Sequence, residues 1–133
     1  MTNAVTDTHG LIWYLQNTLH PGTNASRIFD ECDRGLAVIY VPTICLVEIV
    51  YLQEKGRIPS HLKTLFETKL QSGKTGLRLA TLTAGVVDAL VQIPRSDVPD
   101  MPDRIIAATS LALGLTLISK DRRIQSSQVA TVW

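Results

Sequence analysis

Four acidic residues, Asp7, Glu48, Asp103 and Asp121, each stand in an apolar neighbourhood or at the end of an apolar run. Glu48 is the only charge in Ile44-Cys45-Leu46-Val47-Glu48-Ile49-Val50-Tyr51-Leu52. An unpaired carboxylate in a helix that is apolar all round is costly and has its pKa raised. Asp7 ends Ala4-Val5-Thr6, Asp121 follows Leu115-Thr116-Leu117-Ile118, and Asp103 opens the stretch that continues Ile105-Ile106-Ala107-Ala108. Taken singly, each has a plain structural role. Asp is a preferred helix N-cap, an anion is favoured in a first helical turn, and Glu48 can pair with an arginine such as Arg104. Asp100 is as good an N-cap as Asp103, which leaves one of the two for other work. Gathered in one crevice, these carboxylates repel one another and cannot all stay ionised without a cation. Oxygen donors without His or Cys select a hard ion, Mg²⁺ or Mn²⁺. Such an ion polarises a phosphoryl oxygen and activates a water, which is the chemistry of phosphodiester hydrolysis.

The elements that must position these acids alternate along the whole chain. Ala4 to Thr6 reads as a short strand, followed by a helix through Gly10 to Leu15. His20-Pro21-Gly22 breaks the chain; Thr23 or Asn24 caps a second helix that stops at Gly35. Leu36 to Val41 is a continuous apolar run with β-branched residues, ended by Pro42, as expected of a strand covered on both faces. Thr43 caps a helix running to about Lys55, and Ser60 caps another that ends near Ser72-Gly73. Leu77 to Leu82 is a third strand and Thr83 to Val91 a helix. Asp97 to Pro102 reads as an extended connector, because each proline pushes its predecessor out of the α region. A helix from Asp103 to Leu113, closed by Gly114, leads into a fourth strand, Leu115 to Ile118; Asp121 then opens a short helical turn, and Val129 to Val132 is a fifth strand. Strands separated by helices predict a parallel sheet with helices on both faces.

This order places Asp7 and Asp121 at carboxyl ends of strands, the rim where open α/β sheets bind ligands. Asp103 opens a helix whose far end feeds the strand that Asp121 terminates, so it lies towards the same rim. Glu48 follows its strand by about two helical turns and can lean over it.

A chain of 133 residues, 45% hydrophobic and 19% charged, is one globular domain with a sizeable core. The net charge of +1 gives no broad electrostatic footprint for a polyanion, so a nucleic-acid partner must be met by a local cluster or a metal. Lys120, Arg122 and Arg123 around Asp121, and Arg104 beside Asp103, supply local positive charge of that kind. His9 and Ser119 are hydrogen-bonding candidates next to the acids. Cys32 and Cys45 lack metal-ligand spacing and read as free buried thiols in a reducing compartment. With no basic leader and no apolar stretch near 18 residues, the expected location is cytoplasmic, with no membrane contact.

Val5-Thr6-Asp7-Thr8-His9, Val47-Glu48-Ile49, Asp100-Met101-Pro102-Asp103-Arg104-Ile105-Ile106-Ala107-Ala108 and Ser119-Lys120-Asp121 resemble the successive motifs of the PIN domain. More narrowly, the Asp100 to Ala108 string and the Val-Ala-Thr-Val-Trp ending resemble VapC-type toxins of bacterial toxin–antitoxin pairs. The resemblance implies a single nuclease domain over residues 1–133, with a three-layer α/β/α sandwich around a five-stranded parallel sheet. It implies a Mg²⁺- or Mn²⁺-dependent endoribonuclease, with Asp7, Glu48, Asp103 and Asp121 as the acidic quartet that holds the metal. His9, Asp100, Arg104 and Ser119 take supporting or substrate roles. Ser119 stands where many members have Thr, and Arg123 where some carry a further acid, which argues against a well-occupied second metal site. The implied partners are an RNA substrate, a small antitoxin protein (VapB-like) and a second copy of the chain. Trp13, Tyr14, Ile49, Val50, Tyr51 and Leu52 offer more apolar surface than a domain this size buries alone, consistent with a homodimer and an antitoxin groove. Two rival readings are a haloacid-dehalogenase-like phosphatase and a catalytically silent PIN-like RNA- or protein-binding module. The first needs Asp-x-Asp at the first strand end, where His9 stands; the second conflicts with the presence of all four acids.

Overall fold

The computed structural model describes residues 1–17 and 22–133; the expected break at His20-Pro21 lies outside the described residues. The elements run β1 (Thr2–Thr6), α1 (Thr8–Gln16), α2 (Thr23–Asp33), β2 (Ala37–Pro42), α3 (Thr43–Glu54) and α4 (Leu62–Ser72). They continue with β3 (Leu77–Ala80), α5 (Ala84–Val91), α6 (Met101–Leu113), β4 (Thr116–Ile118), α7 (Arg122–Gln125) and β5 (Thr131–Val132). The strands form one five-stranded sheet in the order β3-β2-β1-β4-β5, with every pair parallel. The chain builds outward from β1 through β2 to β3, then crosses back to lay β4 on the other side of β1. That reversal of direction opens a crevice beside β1 at the carboxyl ends of the strands.

Ala4, Val5 and Thr6 are consecutive and all buried. Successive strand residues point to opposite faces, so the sheet is covered by helices on both sides. Val5, Ile39, Val41, Leu117 and Ile118 from the strands meet Leu11, Cys45, Ile49, Phe66 and Ile106 from the helices in one core, each at 0% exposure. Cys32 and Cys45 are free and buried, and burial pushes both thiols up, as suits unreactive core residues.

Several element ends differ from the sequence reading, and each for a local reason. Gly22, not Thr23 or Asn24, is the N-cap of α2, and α3 starts at Thr43 itself, whose hydroxyl donates to the Ala80 carbonyl at 3.3 Å. Thr43 thus ties α3 to the end of β3 instead of capping. His61 precedes α4, so Ser60 is not its cap. β3 stops at Ala80, which frees Thr83 to cap α5 by accepting from the Val86 amide at 3.3 Å. The proline-rich segment is not extended throughout. The Asp97 amide closes a turn onto the Pro94 carbonyl at 3.0 Å, and Met101 and Pro102 already belong to α6. Proline is well tolerated in a first helical turn, where its missing N–H has no partner to lose. Gly35, at φ 72°, ends α2 in the left-handed region as expected.

Candidate active site

Asp7 follows β1, and its amide donates to the Ile118 carbonyl at the end of β4, at 3.1 Å. Since Thr6 pairs with Ile118 in the sheet, the next residue along each strand, Asp7 and Ser119, meet at the rim. Asp7 caps α1: its Oδ1 accepts from the Gly10 amide at 2.8 Å. Gly10 is required there, because a Cβ would stand 2.7 Å from Thr6 Oγ1 and 3.2 Å from Asp7 Oδ1. The fully buried Ser119 hydroxyl accepts from the Asp121 amide at 3.1 Å and lies close enough to the Asp7 carboxylate to favour its charged form. Asp121 in turn caps α7, its Oδ1 accepting from the amides of Arg123 at 2.9 Å and Ile124 at 3.2 Å. Both aspartates therefore do cap helices, yet each caps through a single oxygen. Capping and ligand binding are compatible because a carboxylate has two.

Glu48 projects from the second turn of α3, half-buried, and its Oε1 accepts a hydrogen bond from the Thr8 hydroxyl. The plain structural alternative, a pair with Arg104, does not occur. Arg104 Nε donates to the Ile93 carbonyl at 2.9 Å and Nη2 to the Leu90 carbonyl at 3.1 Å, fastening α6 to the end of α5. At the start of α6 the choice between two aspartates is resolved: Asp100 is the cap, its Oδ2 accepting from the Asp103 amide at 3.2 Å. Asp103 sits in the first turn and is not the cap.

The acids feel one another. Burial pushes the Asp7 carboxyl above its ordinary value, against the lowering effect of the Gly10 amide and Ser119, and Asp121 adds to the rise. Burial likewise raises Glu48, with the Thr8 hydroxyl opposing and Asp100 and Asp7 reinforcing. Asp103 is pushed up to about 7, first by burial and then by the charges of Asp100, Asp121 and Glu48. All four predicted acids thus belong to one electrostatic neighbourhood. Among the described residues no three His, Cys, Asp or Glu side chains already form a coordination shell. The arrangement is a repulsive carboxylate cluster, and its all-oxygen donor set fits a hard divalent cation.

A crevice of about 580 Å³ runs beside the cluster, with Thr8, His9, Glu48, Asp100 and Asp103 among its walls. Asp7, Ser119 and Asp121 are not part of that lining. His9 is exposed, its ring 6.4 Å from that of Trp13. Lys120, Arg122 and Arg123 are exposed on the same rim. The apolar surplus is distributed differently from expectation. Ile49 is fully buried; Trp13, Tyr14, Val50 and Leu52 are partly covered; Tyr51, at 59% exposure, and Val47, at 46%, carry the outer face of α3. A helix apolar in composition is therefore not buried all round. Thr8 was not singled out in the sequence, although a hydroxyl directly after a strand-end acid is a signal for such a donor. Gly10, three residues from Asp7, was equally legible as a close-approach position.

The PIN domain family model matches residues 4–129. Ribonuclease VapC22 of Mycobacterium tuberculosis (strain ATCC 25618 / H37Rv) is 29% identical over 136 residues, covering 100% of both chains. Similar solved structures include VapBC2 from Rickettsia felis bound to a DNA fragment from their promoter, with a TM-score of 0.73, 14% identity and 99% of each chain covered. DNA-bound VapBC from Salmonella typhimurium superposes with a TM-score of 0.69 at 18% identity, over 99% of this chain and 98% of that one. FitAcB from Neisseria gonorrhoeae does so at 0.63 and 18% identity, over 98% and 96%. With nearly its whole length inside the family model, and with the parallel sheet of those structures, the chain belongs to the PIN domain family.

Proposed function

We infer that this protein is a metal-dependent endoribonuclease that hydrolyses RNA phosphodiester bonds as the toxin of a type II toxin–antitoxin pair. The observation that carries the reading is the gathering of the acids at one rim, where Thr8, next to Asp7, bonds Glu48 Oε1, and Ser119 stands between Asp7 and the Asp121 amide. Burial and the neighbouring acids lift Asp103 to about 7, and Asp7 and Glu48 are raised with it. Groups so placed favour a cation in their midst. Asp7, Glu48, Asp103 and Asp121 are the residues that would hold it, with Mg²⁺ the expected ion and Mn²⁺ a competent substitute. When bound, the ion supplies charge stabilisation at the phosphoryl group and activation of a water.

The chain's own residues prepare the site. The Gly10 amide fixes Asp7 through Oδ1, and Ser119, beside Asp7, holds the Asp121 backbone. Thr8 aims Glu48. Asp103, raised to about 7 by burial and the neighbouring acids, is the carboxyl that would give up a proton to a bound cation. His9 and Asp100 line the crevice as lower-ranked contacts.

The likeness to a full-length relative named a ribonuclease supports the activity, and the VapBC complexes among the structural neighbours support a small antitoxin partner (VapB-like). Exposed Val47 and Tyr51 on the outer face of α3, beside the crevice, suit that partner or a second copy. Among the described residues no helix is long and apolar enough to cross a membrane. The test is RNA cleavage with Mg²⁺ or Mn²⁺ by the wild type and by Asp7→Asn. Equal cleavage by both, or cleavage that persists in excess chelator, overturns the assignment. A second reading, a catalytically silent PIN-like binding module, draws on the lack of a ready-made coordination shell among the described residues. Such a module would show no carboxylate-dependent Mn²⁺ binding.

A further inference from the structure

Lys120 lies between Ser119 and Asp121, directly beside the carboxylate cluster. Its ammonium does not turn to those acids. Nζ stands over the Trp13 indole, 4.4 Å from the ring centroid, and among the described residues no ion pair includes Lys120. The indole is itself held. Trp133 packs on it with ring centroids 4.9 Å apart at 57°. Trp133 is backed by Gly22, where an added Cβ would lie 2.7 Å from Trp133 Cδ1. Segments remote in sequence thus build one aromatic bracket, and Lys120 rests its ammonium on it.

A lysine stem is long and flexible. Left free next to four carboxylates, this one would lean into the cluster and put a monovalent charge where a divalent one belongs. A cation–π contact at an exposed site matches an exposed ion pair in strength, so the ring competes on equal terms for the ammonium. It also gives the ammonium up readily to a phosphate, a stronger partner. Resting on the nuclease reading above, we propose that Trp13 is a positioning residue that holds the Lys120 ammonium out of the carboxylate cluster and presents it to an RNA phosphate beside the cleaved bond.

The bracket is read first by NMR of the intact protein in chelator. The Lys120 ε-methylene protons stand over an indole and resonate upfield of the other lysines; Trp13→Leu abolishes the displacement and Trp13→Phe keeps part of it. Its use is read by binding of a short single-stranded RNA in chelator, where no cleavage occurs. Lys120→Gln weakens binding about three- to tenfold and lowers the salt slope by about 0.7, as expected for one lost phosphate contact. Trp13→Leu weakens binding similarly, but adds nothing in the Lys120→Gln background. Trp13→Leu also weakens Mn²⁺ binding, and Lys120→Gln restores it by removing the freed ammonium. Lys120 is exposed and Trp13→Phe is conservative, so those two variants test the idea even where Trp13→Leu folds poorly. Absence of the upfield displacement in the wild type, or additive effects in the double variant, overturns the inference. A wild type that shows the displacement but binds no RNA overturns the phosphate role and the nuclease reading together. Wild-type RNA cleavage with unaltered binding by Lys120→Gln overturns this inference alone.

Discussion

The Thr8 hydroxyl donates a hydrogen bond to Glu48 Oε1, joining residues 40 positions apart and fastening the start of α1 to the second turn of α3. Thr8 is 5% exposed and immediately follows Asp7, so one dipeptide supplies an acid and the donor that aims another. Thr8→Val keeps the shape and removes the donor. Supporting hydrogen bonds to ligand side chains are typically worth about 10–100-fold in metal affinity or activity, and a loss in that range is expected here. Calorimetric titration with Mn²⁺ and RNA cleavage rates measure it. Unchanged affinity and rate would show that Glu48 needs no such support.

Gly10 sets how closely α1 approaches β1. In Gly10→Ala the new methyl meets Thr6 Oγ1 at 2.7 Å and Asp7 Oδ1 at 3.2 Å, and Thr6 is wholly buried. Overpacking of this kind costs about 1–3 kcal/mol. Denaturant unfolding should show that loss, together with reduced cleavage as Asp7 shifts. Adding Thr6→Ala removes the nearer contact and is expected to recover part of the stability.

Capping and charge separate at Asp121. Asp121→Asn keeps an oxygen that can accept from the Arg123 and Ile124 amides while deleting a negative charge that raises Asp7 and Asp103. Its stability without metal is expected to equal or exceed that of the wild type, while cleavage falls by about two orders of magnitude or more, as for loss of a principal charge-stabilising group. Asp121→Ala also loses the cap, at a cost of about 0.5–2 kcal/mol. Thermal melts of the two variants in chelator distinguish the roles; similar destabilisation in both would assign Asp121 to capping alone.

The pH dependence follows from Asp103, whose carboxyl is raised from 3.8 to about 7 by burial and by Asp100, Asp121 and Glu48. A raised carboxyl binds its proton more tightly in the folded than in the unfolded chain. Its stabilising effect is complete below about pH 4 and is lost as pH rises through about 7. Metal-free protein should therefore lose, across that window, stability that Asp103→Asn does not lose, and Mn²⁺ should restore it at neutral pH. Melting temperatures of both proteins, with and without the ion, provide the check. Identical pH profiles for the two would remove Asp103 from the repelling cluster.

The sequence reading succeeded where the signal is local. Asp7 and Asp121 follow short β-branched apolar runs, and a carboxylate just beyond such a run lies at a strand's carboxyl end in any parallel sheet. The Asp100–Asp103 pair was legible as one cap and one spare acid, but not which was which. That depended on where α6 begins, and Pro102 within the first turn places its start at Met101. The reading failed where the answer depends on rotation about a helix axis. Nine residues with a single charge do not say which side faces outward, so Val47 and Tyr51 were hidden among apolar neighbours until α3 was set against the sheet. Whether Glu48 would pair with Arg104 was open for the same reason, and the guanidinium turns instead to the carbonyls ending α5.

By itself, then, the order of residues determined the alternation of strands and helices, the acids at their ends and the motifs of the family, because these rest on periodicity and spacing within a few residues. Only the tertiary structure decided that β4 returns to the far side of β1. That return sets Ser119 against Asp7, brings Asp121 within electrostatic reach of both Asp7 and Asp103, and lays Lys120 on Trp13. These are long-range relationships. Strand order, helix rotation and burial create them, and no local pattern encodes the distance between two side chains that the chain must fold to bring together.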